Sequence, residues 1–180
     1  MGPVAFVGAW AVLGSRLPGY DPTRDAISRL AADGAPDQAW MTAGFVVFGL
    51  AVPCFGLALR SALDGPAWTM AVATGLATLG VAAFPLDGWA GDAPHDIAAG
   101  VGYVTLALTP LLAAGPLARV GHRRAAVASR LVGAAALAAL ALTPLADRSG
   151  LLQRLGLTLG DAWLVGAAAA LLARRYGRQP

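Results

Sequence analysis

The chain has 180 residues, of which 57% are apolar and only 13% charged, with a net charge of +3 and a mean hydropathy of +0.64. A soluble domain usually carries about 25% charged and about 45–50% apolar residues, and the excess here falls in blocks of membrane-spanning length. That excludes an ordinary water-soluble globular domain and predicts an all-α, polytopic membrane bundle of six transmembrane helices.

The first predicted helix covers Pro3–Leu17. It has no basic n-region and no small-residue cleavage site, so it does not read as a signal peptide. A membrane crossing needs about 20 residues. Either this helix is thin or the start of the chain lies upstream.

Loop 1–2 follows, "YDPTRDAISRLAADGAPDQ", with four charges in its first eleven residues. Asp21 is suited to an N-cap, Pro22 to a first helical position and Gly34 to a stop. The spacing predicts a short amphipathic helix with Ile27, Leu30 and Ala31 on one side and Arg24, Asp25, Ser28 and Arg29 on the other. Asp25 and Arg29 stand at i,i+4, which favours a pair. Such a helix lies at the headgroup level with self-paired charges, or it turns Asp25 or Ser28 toward a polar pocket.

Predicted spans two and three are Ala39–Leu63 and Ala67–Leu86. Loop 3–4, "FPLDGWAGDAPHDIAAG", holds Asp87, Asp92, Asp96 and His95 and no basic residue. Pro85–Gly88 reads as a turn and Asp92-Ala-Pro94 as a helix start, where the helix dipole favours acids. His95 is the residue that exchanges protons near neutral pH. No H-x-x-x-H or H-E-x-x-H pattern accompanies it, so no metal is implied.

Spans four and five are His95–Ala118 and Ala126–Ala146. His122, between them, reads as part of a solvated loop. Span six, Leu151–Arg175, begins "GLLQRLGLTLGD" and sets Arg154, Thr158 and Asp161 on one face. Asp161 then lies about 10 Å into the bilayer. An acid there costs about 2.5–3.5 kcal/mol, so it should face the bundle interior with a partner. Pro53, Pro110 and Pro144 do not defeat the spans, because neighbouring helices satisfy the freed backbone. Gly156-x-x-x-Gly160 and Ala71-x-x-x-Gly75 offer close helix contacts.

Six helices put both termini on one side. With loops 2–3 and 4–5, that side carries eight Arg (Arg60, Arg119, Arg123, Arg124, Arg130, Arg174, Arg175 and Arg178) against five on the other. The positive-inside rule makes it cytoplasmic, in the plasma membrane. All thirteen basic residues are Arg and all ten acids Asp, a bias that points to a GC-rich bacterial genome. The arginines form no basic stripe with aromatics, which argues against nucleic acid as a partner. Membrane lipids are the expected partner, with a homo-oligomer or a membrane-protein partner left open. Cys54 is alone, so neither an intrachain disulfide nor a cysteine metal site is available. No cofactor is implied.

The run Y-D-P-x-R-D-x-I-S-x-L from Tyr20 to Leu30, with "FPLDG…PHDIAAG" and "GLLQRLG" after it, resembles domain of unknown function 998, a family of six-helix bacterial and archaeal integral membrane proteins. The likeness covers nearly the whole chain and implies membership without an activity. Its motifs match Asp21, Pro22, Arg24, Asp25, Ile27 and Ser28, then Pro85, Asp87, His95 and Asp96, then Gln153 and Arg154. The I-S-x-x-x-x-x-G-x-P portion is also similar to the DRAM and glycolipid-anchor-remodelling six-helix proteins of eukaryotes.

Three functions are open on these residues. One is an outer-face enzyme on a lipid or lipid-linked substrate, with His95, Asp87, Asp96 and Asp25 as candidate catalytic groups. Arg24, Ser28, Gln153, Arg154 and Asp161 are its candidate substrate-binding groups. The second is a non-catalytic scaffold or partner subunit whose motifs lock the loops together. The third is a small proton-coupled transporter using Arg154 and Asp161, against which stands the lack of inverted repeats.

Overall fold

The computed structural model describes residues 1–176, with side chains through Ala173. Of the tail arginines, Arg178 lies outside the described residues, as do the side chains of Arg174 and Arg175. Among the described residues there are six α-helices and no strand: α1 (Gly2–Gly14), α2 (Gln38–Arg60), α3 (Ala67–Ala83), α4 (Ala93–Arg119), α5 (Arg123–Leu142) and α6 (Ser149–Tyr176). Segments 38–60, 93–119, 123–145 and 149–173 are each long and apolar enough to cross a membrane, whereas α1 and α3 are shorter, at 13 and 17 residues.

Local chemistry sets the ends. Phe84 precedes Pro85, whose ring pushes the preceding residue out of the α region; Phe84 adopts φ −120 and ψ 79, and α3 stops before it. Pro144 lacks an N–H, and the chain continues past α5 as a 3-10 turn, Thr143–Leu145.

Consecutive helices pack against one another and α6 returns to α1, so the six close into a ring. Loops 1–2, 3–4 and 5–6 gather at one end, hereafter the motif end. The α2–α3 contact is close because both faces are glycine: a Cβ on Gly49 would sit 3.0 Å from the Gly75 carbonyl oxygen. The Gly156/Gly160 pair serves α6 in the same way, facing Leu140 of α5 and Leu106 of α4. The core lies toward the motif end, where Phe6 packs on Phe45 and Phe48 at 5.5 and 5.3 Å among Met41, Val52, Leu106 and Leu164.

The outside of the ring is apolar. Leu50, Leu57, Leu76, Val101, Leu131 and Leu172 are exposed along it, a coat too extensive for water. Trp40 and Trp89 stand exposed at the motif end. At the other end Arg60 lies 4.8 Å from the Trp68 ring. Tryptophans at both rims are the interfacial belt of a membrane-embedded bundle.

The short helix in loop 1–2 is present as a 3-10 turn, Ile27–Ala31, that starts after Ala26 and is shorter than the Asp21–Gly34 spacing allows. Its apolar side points inward: Ile27 is 2% and Leu30 1% exposed, both within the core. It plugs the ring.

Candidate functional site

The charged stretch after Tyr20 ties the motif end together mainly through its backbone. The carbonyls of Thr23, Arg24 and Asp25 accept from the Leu151 N–H at 2.9 Å, the Ser149 hydroxyl at 2.8 Å and Arg154 Nη1 at 2.9 Å. The Leu151 N–H, orphaned by helix geometry at the start of α6, is satisfied this way. The side chains serve the loop itself. Asp21 Oδ1 accepts from the amide and hydroxyl of Thr23, which hold the Asp21 carboxyl below its usual range, and Asp25 Oδ2 accepts the Asp21 N–H at 2.7 Å.

Gly150 is where this seam is tightest, since a Cβ there would meet the Asp25 oxygen at 2.5 Å and the Pro22 oxygen at 2.8 Å. Both are backbone atoms and neither can swing aside. Gly150→Ala is expected to destabilise the protein by about 1–3 kcal/mol, read as a lower thermal midpoint in detergent. An unchanged midpoint would mean that the loop does not seat on α6.

Arg154 is 7% exposed. Its guanidinium lies 5.3 Å from the Trp10 ring and 5.5 Å from the Tyr20 ring, and it donates to the Gly150 carbonyl at 3.0 Å and to the Tyr20 hydroxyl. Burial pushes the Tyr20 phenol above its ordinary pKa, with Arg154 pulling the other way. Gln153 beside it accepts the Ile27 N–H at 2.8 Å and donates to the Tyr103 hydroxyl. Loop 3–4 joins through Arg29, whose Nη1 lies 2.7 Å from Asp87 Oδ2, and through the Asp33 N–H on the Leu86 carbonyl at 2.8 Å. Arg29 therefore bonds across loops, and the i,i+4 pair with Asp25 does not form. Asp87 has a φ of +57, unusual outside glycine but tolerated by Asp, and its N–H donates to Asp92 Oδ1.

Beneath these ties is a groove of about 590 Å³ between the 3-10 helix, α4 and α5. Ser28, Arg29, His95, Asp96, Tyr103 and Gln153 give it a polar upper part, while Val104, Leu137, Leu140 and Ala141 make an apolar wall along α4 and α5. A second, smaller cavity of about 50 Å³ lies deeper among Phe6, Phe48 and Thr74. Ser28, His95, Tyr103 and Gln153 line both and form the partition between them.

His95 is 3% exposed, and its Nδ1 lies 2.8 Å from the Phe84 carbonyl oxygen. A carbonyl only accepts, so Nδ1 carries a proton, and in the neutral form of the ring the lone pair is on Nε2. The break before Pro85 that ends α3 thus also supplies the acceptor that orients the ring. The Tyr103 hydroxyl accepts from Gln153 and retains its own proton to donate.

Of the nine candidate residues, His95, Asp96, Ser28 and Gln153 share the groove. Asp87 and Asp25 brace the loops above it, Arg24 is exposed beside Asp21, and Arg154 is spent on the α6 seam. Asp161 is 3% exposed deeper in α6, and neither carboxylate oxygen has a hydrogen-bond partner among the described residues. Arg154, on the same face of α6, is engaged with loop 1–2 instead. Two groups were missed. Tyr103 lies seven residues after Asp96, on the same face of α4, and that spacing was legible; Tyr20 and Trp10 as the seat of Arg154 were not. Among the described residues no three His, Cys, Asp or Glu side chains gather as a metal-holding group.

A ring of apolar helices with tryptophans at both rims and its polar side chains gathered at one end defines a helical integral membrane protein. The chain belongs to the family described as protein of unknown function (DUF998), whose pattern matches residues 1–170. No curated protein and no solved structure matches it, so the likeness to the DRAM and glycolipid-anchor-remodelling proteins has no match behind it.

Proposed function

We propose that the protein is an enzyme of the plasma membrane that acts at its extracytoplasmic face on a lipid or lipid-linked substrate. The substrate enters sideways between α4 and α5, with its chain against Val104, Leu137 and Leu140 and its polar end under the loops. His95 Nε2 takes a proton from a hydroxyl or a water, and Tyr103 donates to the oxygen where charge develops. Asp25, Asp87, Arg24 and Arg154 act through the loops they hold.

One observation carries this reading: a buried histidine, oriented through Nδ1, lines a groove that is polar above and apolar along α4 and α5. The test compares membrane lipids from cells making equal amounts of the wild-type and His95→Asn proteins. A lipid species altered only by the wild type is the expected result; identical lipid profiles would sink the proposal.

The excess of Arg at the opposite end supports the orientation. In a Cys54→Ala background, single cysteines at the exposed positions Asp33 and Asp147 should react with an impermeant thiol reagent on intact cells, and one at Asp64 should not. The reverse pattern would move the groove to the cytoplasmic face.

A non-catalytic scaffold is the second reading. It is favoured by the hydrogen bonds through which Gln153 and Arg154 tie loop 1–2 to α6. It predicts that His95→Asn leaves the lipids unchanged.

A further inference from the structure

The end of the bundle opposite the motif loops carries a second groove, of about 760 Å³, that the proposed chemistry does not use. Its walls come from the C-terminal ends of α2 and α4, the start of α5 and the second half of α6. They are apolar: Leu59, Leu117 and Leu171 stand around it, and the small residues Ala128, Gly166 and Ala167 make the room. Trp163 sits deepest, its Nε1 donating to the Ser129 hydroxyl at 2.8 Å, which leaves the indole face as an apolar surface. The mouth is cationic. Arg123 and Arg124 are exposed there beside His122, no acid lines the groove, and neither arginine forms an ion pair among the described residues.

We propose that this groove binds one anionic phospholipid, its phosphate on Arg123 and Arg124 and an acyl chain along α6 toward Trp163. The mouth lies at the end where Arg60 and Trp68 mark the membrane interface, so a headgroup is already at that level. From Leu171 to Trp163 the groove runs roughly 12 Å along α6 at 1.5 Å per residue, an apolar track that an acyl chain can line. Charge separates this occupant from a neutral lipid, because two guanidinium groups facing the headgroup region are attracted to a net negative head. The site stands apart from the proposed enzymatic groove and does not depend on it.

The experiment follows Trp163 fluorescence in the full chain purified in detergent, using phosphatidylglycerol or phosphatidylcholine brominated on the acyl chain. Trp163→Phe identifies the signal among the other tryptophans. The expected result is saturable quenching of the Trp163 component that is half-complete at a concentration at least five-fold lower for phosphatidylglycerol than for phosphatidylcholine. That preference should vanish in Arg123→Gln/Arg124→Gln, and quenching by both lipids should vanish in Ala167→Leu, which fills the groove. Equal quenching by the two lipids, or a preference that survives the double substitution, overturns the proposal. Competition by millimolar inorganic phosphate would overturn it in favour of a phosphate site. Protection of Trp163 only on self-association would overturn it in favour of a second copy of the chain.

Discussion

Arg154→Met should be the most damaging single substitution in the motif end, lowering stability by about 3–5 kcal/mol. The guanidinium is buried and reaches the Asp25 and Gly150 carbonyls and the Tyr20 hydroxyl, with the Trp10 and Tyr20 rings nearby. A hydrogen bond to a charged group contributes about 1.5–3 kcal/mol, and an acceptor left buried without its donor costs about 1–3 kcal/mol. Methionine fills similar space and removes every donor, so the loss is one of bonding. Arg154→Lys should recover little, because one ammonium cannot reproduce a planar fork serving three acceptors on two sides. The readout is the unfolding midpoint in detergent, beside the fraction of protein recovered folded from membranes. Wild-type values for both variants would mean that loop 1–2 is held by the buried Ile27 and Leu30 alone.

That loop shows where sequence reasoning stops. Apolar block length and proline position mark all six helices to within a few residues, because a membrane helix satisfies its own backbone and needs only hydrophobic length. The inward side of the 3-10 turn was also legible, since Ile27, Leu30 and Ala31 share a spacing that buries them together. Its extent was not. Asp21 stabilises a local turn at Thr23 instead of capping a helix, and the carbonyls that a longer helix would use internally are given to α6. Charge pairing failed for a related reason. The i,i+4 rule describes an exposed helix, and Arg29 lies beside a loop more than fifty residues away in the chain that offers Asp87. Arg154 and Asp161 share a face of one helix, a spacing that offers each to the other as a partner. What decides their partners is the packing of α1 and loop 1–2 over α6, and no local pattern encodes that. The groove was half legible: His95 and Asp96 stood out as polar residues at a helix start, whereas Tyr103, the one Phe, Tyr or Trp of α4, carries no charge to mark it within an apolar span.

Asp161 leaves the polar interior unbalanced. Among the described residues its carboxyl is buried without a hydrogen-bond partner, as are Trp10 Nε1 and Arg154 Nε. Buried polar atoms without partners are costly and are kept where function asks for them. All three belong to α1 and α6, on the side of the ring away from the α4–α5 wall of the groove. The polar inventory of the bundle is therefore divided. One part, at His95 and Tyr103, lines the groove between α4 and α5, and the other is shut inside.

His95→Asn should abolish the proposed reaction and leave the fold in place, with the rate falling by about 10²–10⁴-fold, the usual contribution of a positioned general acid or base. The choice of asparagine follows from the geometry. Its side-chain N–H₂ occupies the region of the imidazole Nδ1 and can still donate to the Phe84 carbonyl, which histidine meets at 2.8 Å. It offers nothing at the place of Nε2. Folding and chemistry are thereby separated in one residue: an unchanged unfolding midpoint with lost turnover assigns Nε2 to the reaction, whereas a midpoint falling in step with turnover assigns His95 to the joint between α3 and α4. Tyr103→Phe provides the independent check. It removes the hydroxyl proton that faces the groove while keeping the ring, at the cost of the Gln153 contact. If it too reduces turnover at least ten-fold without unfolding the protein, the acid and the base of the groove are both in place. Turnover at the wild-type level in both variants would leave the motif end a structural lock.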